Sequence, residues 1–134
     1  MRWLLDTCVL SDFARGEPGT RARLKAASPA TLAVSAITVK EVEYGLARAP
    51  ARARRLAPVM HALLDAVAIL PYAEEDARAS AAVRAALETK GRPIGAYDIL
   101  IAGTALAQGC ALVTANEGEF GRIAGLRVEN WREG

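Results

Sequence analysis

One histidine, two cysteines and no glycine-rich phosphate loop remove several kinds of chemistry from this chain at the outset. His61 stands alone, so an imidazole-built metal site has too few ligands. Ser11 has no nearby histidine base, which rules out a Ser-His-Asp triad. Cys8 and Cys110 show no CxxC spacing, so thiolate zinc is not expected. Neither GxxxxGK[ST] nor GxGxxG occurs, which removes nucleotide loops of those types. No apolar run is long enough for a membrane span. Near the N-terminus only Trp3-Leu4-Leu5 separates Arg2 from Asp6, which does not read as a signal peptide. The expectation is a cytoplasmic protein with reduced cysteines. A net charge of +2 is too small to imply a nucleic-acid partner by itself.

What is present fits one folded domain over residues 1–134, with 52% hydrophobic residues to build a core. Fourteen of the seventeen basic residues are arginine, whose planar fork suits phosphate. Arg48, Arg52, Arg54, Arg55 and Arg78 fall in the central helical region, where most read as a solvated face of an Ala- and Arg-rich chain. His61 reads as a core or groove histidine, and Trp3 and Trp131 as packing residues.

Strand-like and helix-like segments alternate, which predicts a three-layer α/β/α fold around a mainly parallel sheet. Strands are expected at Trp3–Leu5, Thr31–Val34, Val67–Leu70 (compact and buried), Ala111–Thr114 and Leu126–Val128. Helices are expected around Val9–Phe13, from Pro18 through Lys25, at Thr38–Ala47, Arg52–Ala66 and Glu74–Lys90. A nearly all-apolar helix, Asp98–Gln108, should be buried.

Four acidic positions sit where strands stop or helices start. In an open α/β sheet the carboxyl ends of the strands share one crevice. Carboxylates gathered there raise each other's pKa unless a cation lies among them. Hard cations such as Mg²⁺ prefer oxygen ligands of this kind. Asp6 follows the first strand, as a site residue or as the N-cap of the next helix. Glu41 competes with Glu43, and Ser35 and Thr38 favour Glu41 by placing it in the first turn after a strand. Asp98 opens the apolar helix, where it serves the helix dipole or, partly buried, needs a strong partner. Asn116, Glu117 and Glu119 lie in a turn-like stretch after the strand ending at Thr114. Which of them faces inward stays open, with Glu119 favoured over Glu117.

Together these segments resemble the PIN-domain family, specifically the VapC-type toxins of bacterial toxin–antitoxin pairs. The resemblance is carried by LLDTCVLSDF (4–13), SAITVKEVEYG (35–45), GRPIGAYDILIAGTALAQG (91–109) and LVTANEGEFGRIAGLRVENW (112–131), in this order. It implies Asp6, Glu41 and Asp98 as metal ligands, with Asn116 or Glu119 as the fourth site residue. Cys8 stands where the family usually has Asn, and Asn116 where a fourth acid often stands. The resemblance further implies a Mg²⁺- or Mn²⁺-dependent endoribonuclease that leaves a 5′-phosphate and a 3′-hydroxyl. Thr7 and Thr114 would orient ligands or water. Expected partners are RNA, a VapB-like antitoxin that lays a peptide across the groove, and a second copy of the chain in a homodimer.

Other classes fit less well. Phosphatases of the haloacid dehalogenase type need a second Asp two residues after the first, where this chain has Cys8. A receiver domain needs an acidic pair, a central Asp and a late Lys that the chain lacks. A PIN-like domain without catalysis, serving only as an RNA- or antitoxin-binding module, is favoured by loss of the fourth acid and opposed by intact Asp6, Glu41 and Asp98.

Overall fold

A computed structural model describes residues 2–133. β1 (Trp3–Leu5) leads into α1 (Thr7–Arg15) and α2 (Pro18–Ala26). A 3-10 turn at Pro29–Thr31 precedes β2 (Leu32–Ser35), α3 (Ala36–Arg48) and α4 (Pro50–Ala66). Then come β3 (Ala68–Leu70), α5 (Glu74–Thr89), α6 (Ala96–Ala107), β4 (Ala111–Val113), α7 (Glu117–Phe120) and β5 (Val128–Glu129). A second 3-10 turn, Trp131–Glu133, ends the described chain.

All five strands are parallel, in the order β3-β2-β1-β4-β5. The central strand pairs Leu5 with Val34 on one side and Val113 on the other, so three strands end level. Consecutive strand residues point to opposite faces, and this divides the core. Leu4, Ala33 and Leu112 pack with Val83, Leu87, Ile99, Ile101 and Ala105 of α5 and α6, and with Phe120. Leu5, Leu32, Val34 and Val113 pack with Val9, Leu10, Leu24, Val42, Met60 and Trp131. Strands covered on both faces read as unbroken apolar runs. Each fully buried Leu or Val contributes roughly 1.5–3 kcal/mol. The layers are therefore α5/α6, sheet, and α1–α4.

The strand order reverses between β1 and β4, and at such a switch point the loops diverge and leave a crevice at the carboxyl ends. Asp6 and Thr114 immediately follow those two strands.

Several details depart from expectation. β3 is an exposed edge strand with Ile69 43% exposed, since only β2 pairs with it. α4 starts at Pro50 and runs through Pro58, held by packing of Met60, Leu56 and Leu63 into the core. α3 begins at Ala36, capped by the buried Ser35 hydroxyl, which accepts from the Ile37 N–H at 3.0 Å. Glu41 thus lies in the second turn of α3, not the first. The last strand falls at Val128–Glu129. No helix among the described residues is long and apolar enough to cross a membrane.

Candidate active site

Asp6 is both an N-cap and a buried charge. Its carboxylate accepts from the Val9 N–H at 3.1 Å and so caps α1. Its own N–H donates to the Val113 carbonyl at 3.1 Å, which locks the end of β1 to β4. The residue is 7% exposed. The Cys8 thiol donates to Asp6 Oδ1 at 2.9 Å, and the Ala115 N–H donates to Cys8 Sγ at 3.4 Å. Burial raises the Asp6 pKa, against hydrogen bonds from Cys8, Thr114 and Val9 that lower it. Burial and the Asp6 charge push the Cys8 thiol up to about 12, so it stays a neutral donor.

Glu41 reaches the same crevice from α3, where the Thr7 hydroxyl donates to Oε1 at 2.9 Å. Asp98 is the third residue of α6, in the first turn, where a carboxylate suits the helix dipole. A Cβ on Gly95, the N-cap, would lie 3.3 Å from Asp98 Oδ2, so glycine leaves room for that carboxylate. Thr114 is fully buried, and its Oγ1 accepts from the Asn116 N–H at 2.9 Å. Asn116 Nδ2 donates to Glu119 Oε2 at 2.6 Å, which orients the Glu119 carboxylate. The turn-like stretch at 116–120 is a short helix that turns Glu117 out to solvent and leaves Glu119 half-buried.

The electrostatics of Asp98 show how these groups are gathered. Its pKa is raised to about 6, first by burial, then by the charges of Glu119, Asp6 and Glu41. Carboxylates from three other segments therefore act on Asp98. Among the described residues none of the four has a cationic side chain within ion-pair distance. The other buried acids are compensated. Asp12 receives a bidentate fork from Arg132 at 2.6 and 2.8 Å. Asp76 accepts from the Ala73 N–H at 2.7 Å and from Gln108.

The donor set is oxygen-rich, anionic and short of counter-charge, which suits a hard divalent cation. The carboxylates are not drawn into a ready cage: among the described residues no three His, Cys, Asp or Glu side chains stand in ligating arrangement. Thr7, Cys8 and Asn116 instead hold Glu41, Asp6 and Glu119 by hydrogen bonds. Arg15 and Arg52 line a small cavity of about 130 Å³ together with Thr7 and Glu41.

Sequence reading missed two features here. Asp12 is 4% exposed, yet its partner lies 120 residues away, and no local signal announces that pairing. Lys40 and Tyr97 meet at the rim of the crevice, and their signal was simple adjacency to Glu41 and Asp98. His61, expected in the core or a groove, is exposed and pairs with Glu43 on the outer face of α3 and α4. Glu43 is thereby accounted for away from the crevice.

Comparison with known proteins bears on the fold and the family. The family model described as PIN domain matches residues 3–126. The tRNA(fMet)-specific endonuclease VapC of Salmonella typhimurium is 33% identical, over 98% of each chain. The VapC ribonuclease Y4jK of Sinorhizobium fredii is 37% identical, over 95% of each. A chain in the crystal structure of DNA-bound VapBC from Salmonella typhimurium superposes with a TM-score of 0.88 at 34% identity, again over 98% of each chain. Fold, strand order and nearly full-length similarity point the same way, and the chain belongs to the PIN-domain family.

Proposed function

We propose that this chain is the toxin of a toxin–antitoxin pair, an endoribonuclease that works in the cytoplasm with Mg²⁺ or Mn²⁺. The observation that carries the reading is the half-buried Asp98, whose carboxyl is held near pKa 6 by burial and by Glu119, Asp6 and Glu41. Relatives of nearly equal length named as VapC ribonucleases supply the reaction class.

Asp6, Glu41 and Asp98 would hold the metal, with Glu119 and Asn116 completing the polar rim. When bound, such an ion supplies Lewis acidity and a more acidic water. The chain's own residues do the rest. Thr7 fixes the rotamer of Glu41, Cys8 and Thr114 fix Asp6, and Asn116 fixes Glu119. Outer hydrogen bonds of this kind typically govern metal affinity by 10–100-fold. Arg15 and Arg52 beside Glu41 place positive charge where an RNA phosphate would approach. Water attacks phosphorus and the 3′-oxygen leaves, giving a 5′-phosphate and a 3′-hydroxyl. A VapB-like antitoxin would silence the cleft, a reading supported by the VapBC complexes among the structural neighbours, and the toxin itself would pair as a homodimer within that hetero-oligomer.

Transfer RNA is the first substrate to test, because two similar proteins are named for it. Purified protein should cleave it with Mg²⁺ or Mn²⁺ and stop on addition of EDTA. Asp6→Asn and Asp98→Asn should each lower the rate more than about 100-fold while circular dichroism stays native, since a neutral amide replaces an anionic ligand. Full activity in Asp98→Asn, or cleavage that survives chelation, would overturn the reading.

A further inference from the structure

The exposed rings of this chain are gathered at one place. Four large apolar side chains are strongly exposed among the described residues, and two of them are Tyr44 (56%) and Tyr97 (48%). One cation serves both. Lys40 Nζ lies 4.4 Å from the Tyr97 ring centroid and 5.4 Å from that of Tyr44. It also donates to the Tyr97 hydroxyl at 3.1 Å. The Arg48 guanidinium sits 5.7 Å from the Tyr44 ring.

The address of this patch matters. Lys40 directly precedes Glu41, and Tyr44 stands three residues after it, on the same side of α3. Tyr97 directly precedes Asp98 in α6. The two helices that place Glu41 and Asp98 therefore also place the rings and their cations.

We propose that Tyr44 and Tyr97, with Lys40 and Arg48, form a stacking subsite for an unpaired nucleotide of the RNA beside the scissile phosphate. This inference rests on the ribonuclease reading and names how its substrate is gripped. Single-stranded RNA is held by stacking of splayed bases on aromatic faces and by cations that follow the backbone. The crevice itself carries four carboxylates, whose field opposes an incoming phosphodiester. Cations at its rim offset that repulsion. Lys40 is solvent-exposed and long enough to swing from the rings to a phosphate, while the rings keep their places on helices. Tyrosine and arginine are enriched at protein interfaces too, but lysine is depleted there, so Lys40 set over both rings favours a nucleic-acid occupant.

The test uses the full chain, made cleavage-deficient by Asp6→Asn, and a short labelled oligoadenylate with an abasic position moved along it. Fluorescence anisotropy should show that Tyr44→Ala and Tyr97→Ala each weaken binding roughly tenfold. Tyr97→Trp should restore it. One abasic position should weaken binding to the parent but add nothing to the Tyr97→Ala loss. In cleavage-competent protein the same substitutions should raise KM for transfer RNA and leave kcat nearly unchanged. Tyr97→Leu keeps apolar bulk without a stacking face and should behave as Tyr97→Ala, which guards against a folding artefact. Equal affinities, or abasic and Tyr97→Ala losses that simply add, would overturn the proposal. So would variants that lose self-association or antitoxin binding in light scattering while RNA affinity is unchanged, because the patch would then be a protein interface. A wild-type protein that cleaves no RNA with either metal refutes the ribonuclease reading instead.

Discussion

Asp98 concentrates the chemistry of this protein in one side chain. Its carboxyl titrates near pH 6 because burial and three neighbouring carboxylates disfavour its charge. Ionised Asp98 is the form that would hold a cation, so metal affinity, read at subsaturating metal, should fall about tenfold per pH unit below 6 and level off above it. The same shift makes a stability statement with a definite sign. The folded-state value lies above the ordinary 3.8, so the group favours folding below that value and loses its contribution as pH rises through about 6. At pH 7 the ionised group therefore destabilises the metal-free fold. A dry site would make this about 3 kcal/mol. Asp98 is only half-buried and solvent screens it, which leaves about 1 kcal/mol. Metal-free Asp98→Asn should accordingly melt higher than the parent at pH 7, and this gap should vanish near pH 3.5. Thermal denaturation at both pH values checks it, and equal melting at pH 7 would remove the argument for mutual repulsion. Asp6 shows a different economy, since one carboxylate caps α1, receives the Cys8 thiol and lines the crevice.

Among the helices, α6 sets the position of Asp98, and its packing on α5 is unusually close. A Cβ at Gly103 would collide with the Ser80 hydroxyl and approach the Asp76 carbonyl and the Ser80 N–H at 2.8 Å each. Ser80 in turn donates to the Ile99 carbonyl at 3.1 Å, one residue beyond Asp98. Only glycine permits this contact. Gly103→Ala should wedge α5 and α6 apart and lower unfolding free energy by roughly 1–3 kcal/mol in urea titration, with a loss of cleavage as Asp98 shifts. The apolar, all-round character of α6 was legible in Ile99, Leu100, Ile101 and Ala102, and its burial follows. The close approach at Gly103 was not legible, because it depends on which helix lies opposite. β3 teaches the converse. Val67-Ala68-Ile69-Leu70 has the composition of a buried strand, yet it sits at the sheet edge with Ile69 exposed. Composition reports strand propensity, and neighbours decide burial.

Across the whole molecule the first strand and the last described turn meet. Trp131 is 2% exposed and packs edge-on to Trp3 with ring centroids 5.8 Å apart. Arg132 clamps Asp12 of α1, and α2 approaches so closely that a Cβ at Gly19 would strike the Trp131 carbonyl. The C-terminal turn thus seals the layer formed by α1–α4. Trp131→Ala should cost about 3 kcal/mol by chemical denaturation, the usual penalty for emptying a large buried aromatic site. An unchanged midpoint would mean that the terminal turn closes nothing.

Local chemistry along the chain was enough to mark where most of its elements change and to single out acidic candidates there. Asp6 after a three-residue apolar strand and Thr114 at the end of the fourth are short-range signals, and short-range propensities read them, whereas the starts of α3 and α6 lie two residues before the expected Thr38 and Asp98. The strand order, the second-turn placement of Glu41, the outward turn of His61 and the Asp12–Arg132 clamp required the assembled sheet. Those features depend on contacts between segments far apart in sequence, and on the repulsion of carboxylates that become neighbours only when β1 and β4 lie side by side.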